Sequence, residues 1–157
     1  MSAEKRSAWT GALIGIGMMA AVDEIVFHQV LGWHHFYDRS TLAVGLLADG
    51  LLHAAELIAI VAGFFGLLAL RKRGELEGPW AWAGFFLGLG GFQVLDGVVI
   101  HKVLRLHQIR YGVPLLPYDL AWNFAGLVLM GVGLVLLVRA RKQSGGGHAF
   151  APHPSSL

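Results

Sequence analysis

The 157-residue chain is predicted to be an all-α integral membrane protein, a four-helix bundle built from two tandem two-helix repeats with a pseudo-two-fold axis along the membrane normal. Three observations predict it. Hydrophobic residues make up 55% of the chain and charged residues 14%, whereas a soluble domain carries about a quarter charged residues; mean hydropathy is +0.61. Four apolar runs each reach the roughly 20 residues that a spanning helix needs. Residues 22–34 and 95–107 carry the same Asp and His pattern at a constant offset of 73.

The first span is expected over Trp9–Gly32, after a cytoplasmic N-terminus at 1–8. It does not read as a cleaved signal peptide: it is too long, it holds acidic residues, and no A-x-A site follows. The second is expected over Thr41–Leu70, long enough to tilt. The third, Trp80–Leu104, follows Gly78-Pro79, which suits a helix start. The fourth is expected over Tyr118–Val138. Together they form one transmembrane domain at 9–142, with repeat 1 at 9–73 and repeat 2 at 79–142. The Gly/Pro/Ser-rich tail at 143–157, with His148 and His153, is expected to be disordered and solvated.

Lys5, Arg6, Arg71, Lys72, Arg73, Arg139, Arg141 and Lys142 fall on one side, and Arg39, Lys102, Arg105 and Arg110 on the other. The positive-inside bias predicts a multi-pass protein of the cell membrane with both termini in the cytoplasm. The net charge of +2 mostly records these flanks, so no nucleic-acid partner is expected. Membrane lipid is the expected surrounding. The absence of cysteine excludes disulfides, thiolate metal sites, iron–sulfur clusters and cysteine catalysis.

Six of the 13 positions in the paired stretches are identical: Asp23/Asp96, Val26/Val99, His28/His101, Val30/Val103, Leu31/Leu104 and His34/His107. Val and Leu recur by composition, but one Asp and two His in register point to duplication. The returning helices agree more weakly, at an offset of 70: Asp49 with His53, and Asp119 with Asn123. Each unit is one helix out and one back, so the copies share a topology and His28 should oppose His101. Gly97 stands where Glu24 does, so the halves are not equivalent.

At 1.5 Å per residue, Asp23 lies roughly 15 Å below the outer end and His28 roughly 8 Å, with Asp49 and His53 at about 12 and 18 Å. Polar residues thus gather in the outer half. Asp49, His53 and Glu56 share one helix face, as do Glu24 with His28 and Asp119 with Asn123. Asp23 and His28 should diverge by about 140° on an α-helix, addressing different neighbours or leaving Asp23 as an outer partner.

Ionised groups in a bilayer cost several kcal/mol (about 3 on insertion scales). Asp23, Glu24, Asp49, Glu56 and Asp96 have few basic residues near them in sequence, so a metal ion, bound protons or both would supply the compensating charge. His with carboxylates and no thiolate suits zinc, iron or copper. The expected metal ligands are Asp23, His28, Asp49, His53, Asp96 and His101, with His34 and His107 as outer ligands or proton shuttles. Asp119 and Asn123 would orient the ligands, and Glu24 and Glu56 are the candidate catalytic base or further ligands. A hydrolase or an oxidoreductase would follow, depending on the ion.

Other readings compete. Buried Asp–His pairs also tie helices together by hydrogen bonds. Haem held by His28 and His101 is an alternative cofactor. A proton or cation transporter is a third reading, for which four helices are few unless a homo-oligomer forms. A metal sensor or delivery protein fits without catalysis. His35, Trp33 and Tyr37 are expected at the interface, and Met18 and Met19 in the core.

The runs "MMAAVDEIVFHQVLGWHHFYD", "LLADGLLHA", "LDGVVIHKVLRLHQIRYG" and "YDLAWN" together resemble an uncharacterised prokaryotic family of predicted four-helix membrane proteins. The resemblance covers about residues 10–140, and its motifs fall on Asp23, His28, Asp49, His53, Asp96, His101, Asp119 and Asn123. It implies the topology and the motif boundaries, and carries no activity.

Overall fold

A computed structural model describes residues 1–146, which are all-helical, with four membrane-length helices and no strand among the described residues. The helices are α1 (Ala3–Val30), α2 (Leu42–Lys72), α3 (Gly78–Leu104) and α4 (Leu115–Gly146). Local chemistry sets their ends. Ser2 caps α1 by accepting from Lys5 N at 3.3 Å, so the helix starts ahead of Trp9. Thr41 caps α2 in the same way, and Pro79 sits in the first turn of α3, where no amide proton is needed. Helix α4 begins three residues before Tyr118 and admits Pro117 in its first turn. It runs to Gly146, through the residues expected to open the tail; the remainder, with His148 and His153, lies outside the described residues.

The helices form an open row, α2–α1–α3–α4. Helices α1 and α3 lie together at the centre, α2 packs on α1, and α4 packs on α3. Glycines bring the central pair close. Gly11 lies against the Ala81 carbonyl and Gly15 against that of Phe85, while Gly84 meets Ala8 and Gly88 meets Ala12; a Cβ at any of the four would overlap backbone. Close backbone approach through small residues is how helices pack when lipid removes the hydrophobic drive between them.

Burial is inverted relative to a soluble domain. The buried side chains include Asp23, Glu24, His28, His34, Asp49, Glu56, Gln93, Asp96, His101 and His107, whereas Leu, Val, Ile and Phe cover the outside of α2 and α4. At the end carrying the N-terminus, Arg6 pairs with Glu75 at 2.8 Å and Ser7 Oγ accepts from Glu77 N at 3.0 Å. The polar interior lies at the other end.

That end departs from α-helix. Glu24–Val30 of α1 and Asp96–Leu104 of α3 are π-helical. After each of these turns the chain leaves through a left-handed residue, Gly32 at φ 58° and Arg105 at φ 52°.

Candidate metal centre

The π-helical turns decide what the Asp and His pairs can do. Backbone bonding from residue i to i+5 widens the turn and brings residues five apart onto one side. Asp23 and His28 therefore converge, with His28 Nε2 3.6 Å from Asp23 Oδ2, and His101 Nε2 lies 3.1 Å from Asp96 Oδ2. The 140° divergence expected of an ordinary α-helix is corrected here. The same widening keeps Glu24 beside His28, Oε2 to Nδ1 at 2.6 Å.

Two further histidines enter from the connections. His34 donates its Nδ1 proton to the Ile109 carbonyl at 2.9 Å, and His107 donates its own to the Phe36 carbonyl at 2.9 Å. A carbonyl can only accept, so both tautomers are fixed and both Nε2 atoms present a lone pair. Their rings stack with centroids 4.4 Å apart. His28 meets His34 at 4.5 Å and 70°, and His101 meets His107 at 4.6 Å and 72°. Burial, followed by neighbouring His107, His28 and His101, pushes the His34 imidazole down to about 2. Burial pushes His107 down to about 4 against the opposing charge of Asp96. Both are neutral in the ligand state.

Three-residue groups whose donor atoms all lie within 4.8 Å of one another are His28/His34/His107, Asp96/His101/His107 and Glu24/His28/Asp49. In the second group the His101 and His107 Nε2 atoms are 2.9 Å apart, and Asp96 oxygens lie 3.1 and 3.7 Å from them. Ligands at about 2.0–2.2 Å from one ion stand at about such separations from each other.

On the α2 side, Asp49 is held by two donors, Phe36 N at 2.7 Å on Oδ1 and His35 Nδ1 at 2.6 Å on Oδ2. Asp49 Oδ1 also lies 3.2 Å from His28 Nδ1. His35 thus belongs to the site, although its lack of a counterpart at residue 108 favours an interfacial role in the sequence. A cavity of about 410 Å³, lined by Glu24, Gln29, Leu46, Asp49, Gly50 and His53, opens beside this cluster. His53 pairs with Glu56 at 2.5 Å and is half exposed, so it stands apart from the seam between α1 and α3.

Asp119 and Asn123 also stand apart. Asp119 pairs with Lys102 at 2.6 Å, and the Asn123 amide turns back to the Asp119 carbonyl at 2.8 Å. Asn123 and Trp122 occupy the space that a side chain at position 97 would need. Among the described residues, Asp23, Glu24, Asp49, Glu56 and Asp96 have no Lys or Arg in ion-pair contact; their ion-pair partners are histidines. Asp23 Oδ2, Glu24 Oε2, His34 Nε2, Asp96 Oδ2 and both ring nitrogens of His28 are buried without a hydrogen-bond partner. Such groups cost about 1–3 kcal/mol each when left unmatched.

Residues 10–140 match the family described as predicted membrane protein (DUF2243), and the chain belongs to that family. No curated protein and no solved structure matches the chain.

Proposed function

We propose that this member of the family holds a transition-metal centre at the seam between α1 and α3, built from His28, His34, His101, His107, Asp23 and Asp96. The observation that carries the reading is the pair His34 and His107. Each has Nδ1 committed to a main-chain carbonyl and its Nε2 lone pair turned into a cluster of carboxylates and imidazoles, where that of His34 has no partner and that of His107 has only His101 Nε2 within hydrogen-bond distance. Ligating histidines are oriented in this way by a carbonyl on the distal nitrogen. Hydrogen bonding between helices alone gives no reason for so many buried groups without a partner.

The donor set of imidazole and carboxylate suits zinc, iron or copper. Imidazole rings packed 4.4–6.1 Å apart favour an ion over haem, which needs a macrocycle's width between axial ligands. Zinc would support hydrolysis through an activated water, with Glu24 or Glu56 as base, and iron or copper would support redox chemistry. The basic flanks support both termini in the cytoplasm, so the centre lies near the outer face of the cell membrane. The matched His28/His34 and His101/His107 geometries support the duplication and its two-fold axis.

The test is metal content by mass spectrometry, with a visible spectrum, on protein purified in detergent. Wild type is compared with His101→Ala and His34→Ala. Stoichiometric metal that falls in both variants supports the centre. Folded wild type that stays empty after incubation with zinc, iron and copper overturns it.

A further inference from the structure

We propose a second divalent-cation site between α1 and α2, formed by Glu24, Asp49 and Nδ1 of His28, in which His28 bridges this ion to the one at the seam. The proposal rests on the seam reading for its bridge and adds an ion, an address and an open face.

His28 has carboxylates on both sides of its ring. Nδ1 lies 2.6 Å from Glu24 Oε2 and 3.2 Å from Asp49 Oδ1, while Nε2 turns to Asp23 Oδ2 at 3.6 Å. All three residues of the new site are at most 3% exposed. The 2.6 Å approach is not a hydrogen bond, because Glu24 Oε2 and His28 Nδ1 are both without a hydrogen-bond partner. Atoms that close yet not aligned to share a proton are arranged as two donors to one cation.

The carboxylates are already oriented. Gln29 Nε2 donates to Glu24 Oε1 at 2.7 Å, leaving Oε2 free. Phe36 N and His35 Nδ1 hold the two Asp49 oxygens, each of which keeps a second lone pair. Two carboxylates neutralise a divalent ion, and His28 bridges as imidazolate, with its remaining ring proton released to solvent as the second ion binds. The cavity beside them has room for water as the remaining ligand. Two oxygens and one nitrogen with an open position suit zinc, manganese or iron(II).

The corresponding place in the second half already contains a cation. At the offset of 73, Gln29 corresponds to Lys102 and Glu24 to Gly97; at the offset of 70, Asp49 corresponds to Asp119. There the Lys102 ammonium sits on Asp119 at 2.6 Å, and Asn123 closes the space above Gly97. The first half has a glutamine in place of the lysine and one more carboxylate. An exogenous cation takes the lysine's part, and Gln29 positions Glu24 to receive it.

The experiment loads full-length protein in detergent with Zn²⁺ and counts ions per chain in wild type, Glu24→Gln, Gln29→Lys and His101→Ala, with monodispersity as the folding check. One equivalent fewer in Glu24→Gln and in Gln29→Lys, with the His101-dependent equivalent retained, is expected. Wild type that holds zinc while both variants keep the full count overturns the second site and leaves the seam reading standing; an empty wild type overturns both. Should the variants fail to fold, Cu²⁺-loaded wild type decides by electron paramagnetic resonance. An exchange-coupled pair supports the His28 bridge, and only isolated copper signals overturn it.

Discussion

His34 and His107 lie ring on ring, centroids 4.4 Å apart and 9° from parallel, and each donates to a carbonyl in the other's connection. The stack is therefore a clasp between residues 31–41 and 105–114. Replacing either histidine by Ala orphans a carbonyl and should cost about 1–3 kcal/mol. Hydrogen exchange should speed up in the opposite connection as well as the mutated one. Unchanged exchange around Ile109 in His34→Ala would argue against the clasp.

The seam between α1 and α3 tolerates no added side chain. Gly84→Ala drives a methyl into the Ala8 carbonyl, whereas Gly91→Ala meets open space. The first should destabilise by about 1–3 kcal/mol, the usual cost of overpacking. The second should be neutral or slightly stabilising, since Ala outranks Gly in a helix. Thermal melts in detergent of the two variants make the comparison; equal midpoints would contradict the close approach.

Lys102 compensates Asp119 inside the protein. Lys102→Met should lower stability by about 1–2 kcal/mol, between the values for exposed and buried pairs. Adding Asp119→Asn should recover part of that loss. Metal content should not move in either variant, because neither side chain contacts a donor atom of the seam; the Lys102 ammonium bonds only Asp119 and Gln108. A drop in bound metal would show that Asp119 acts on the centre.

Burial and the neighbouring Asp38 charge raise the Tyr111 phenol above its ordinary 10.0. Folding thus favours the protonated phenol. Its contribution is fully present below the ordinary phenol value and is lost as pH rises through the raised one. A phenolate absorbance titration should show one late tyrosine that disappears in Tyr111→Phe, and that variant should lose less stability in alkali. A normal titration of all three tyrosines would refute this.

Composition alone announces the membrane and the number of spans, because apolar runs of this length have few other uses. The paired Asp and His residues are equally plain, since they are rare in spans. The convergence of Asp23 with His28 is not, because periodicity assumes 3.6 residues per turn and a π-helical turn leaves no composition of its own. His35 escapes for a different reason: it reaches Asp49 through a connection whose path is set by tertiary contacts. The seam itself does have a signal. Ala8, Gly11 and Gly15 match Ala81, Gly84 and Gly88, all at the offset of 73 that relates the histidines, but in a chain with 22 glycines such matches pass as background. Asp119 matches Asp49 in register, and only the structure brings Lys102 onto it.

The clasp also sets a schedule for biogenesis. His34 finds its carbonyl 75 residues further along the chain, and Gly11 and Gly15 of α1 need a helix that begins at Gly78. While the ribosome is still making α3, the first hairpin must stand in the bilayer with Asp23 lacking the surroundings that α3 brings. Glu24, His28 and Asp49, by contrast, all emerge within that first hairpin. Maturation of the polar interior is accordingly a two-stage event, local first and then across the seam. A chain truncated before α3 retains the ingredients of the first stage alone.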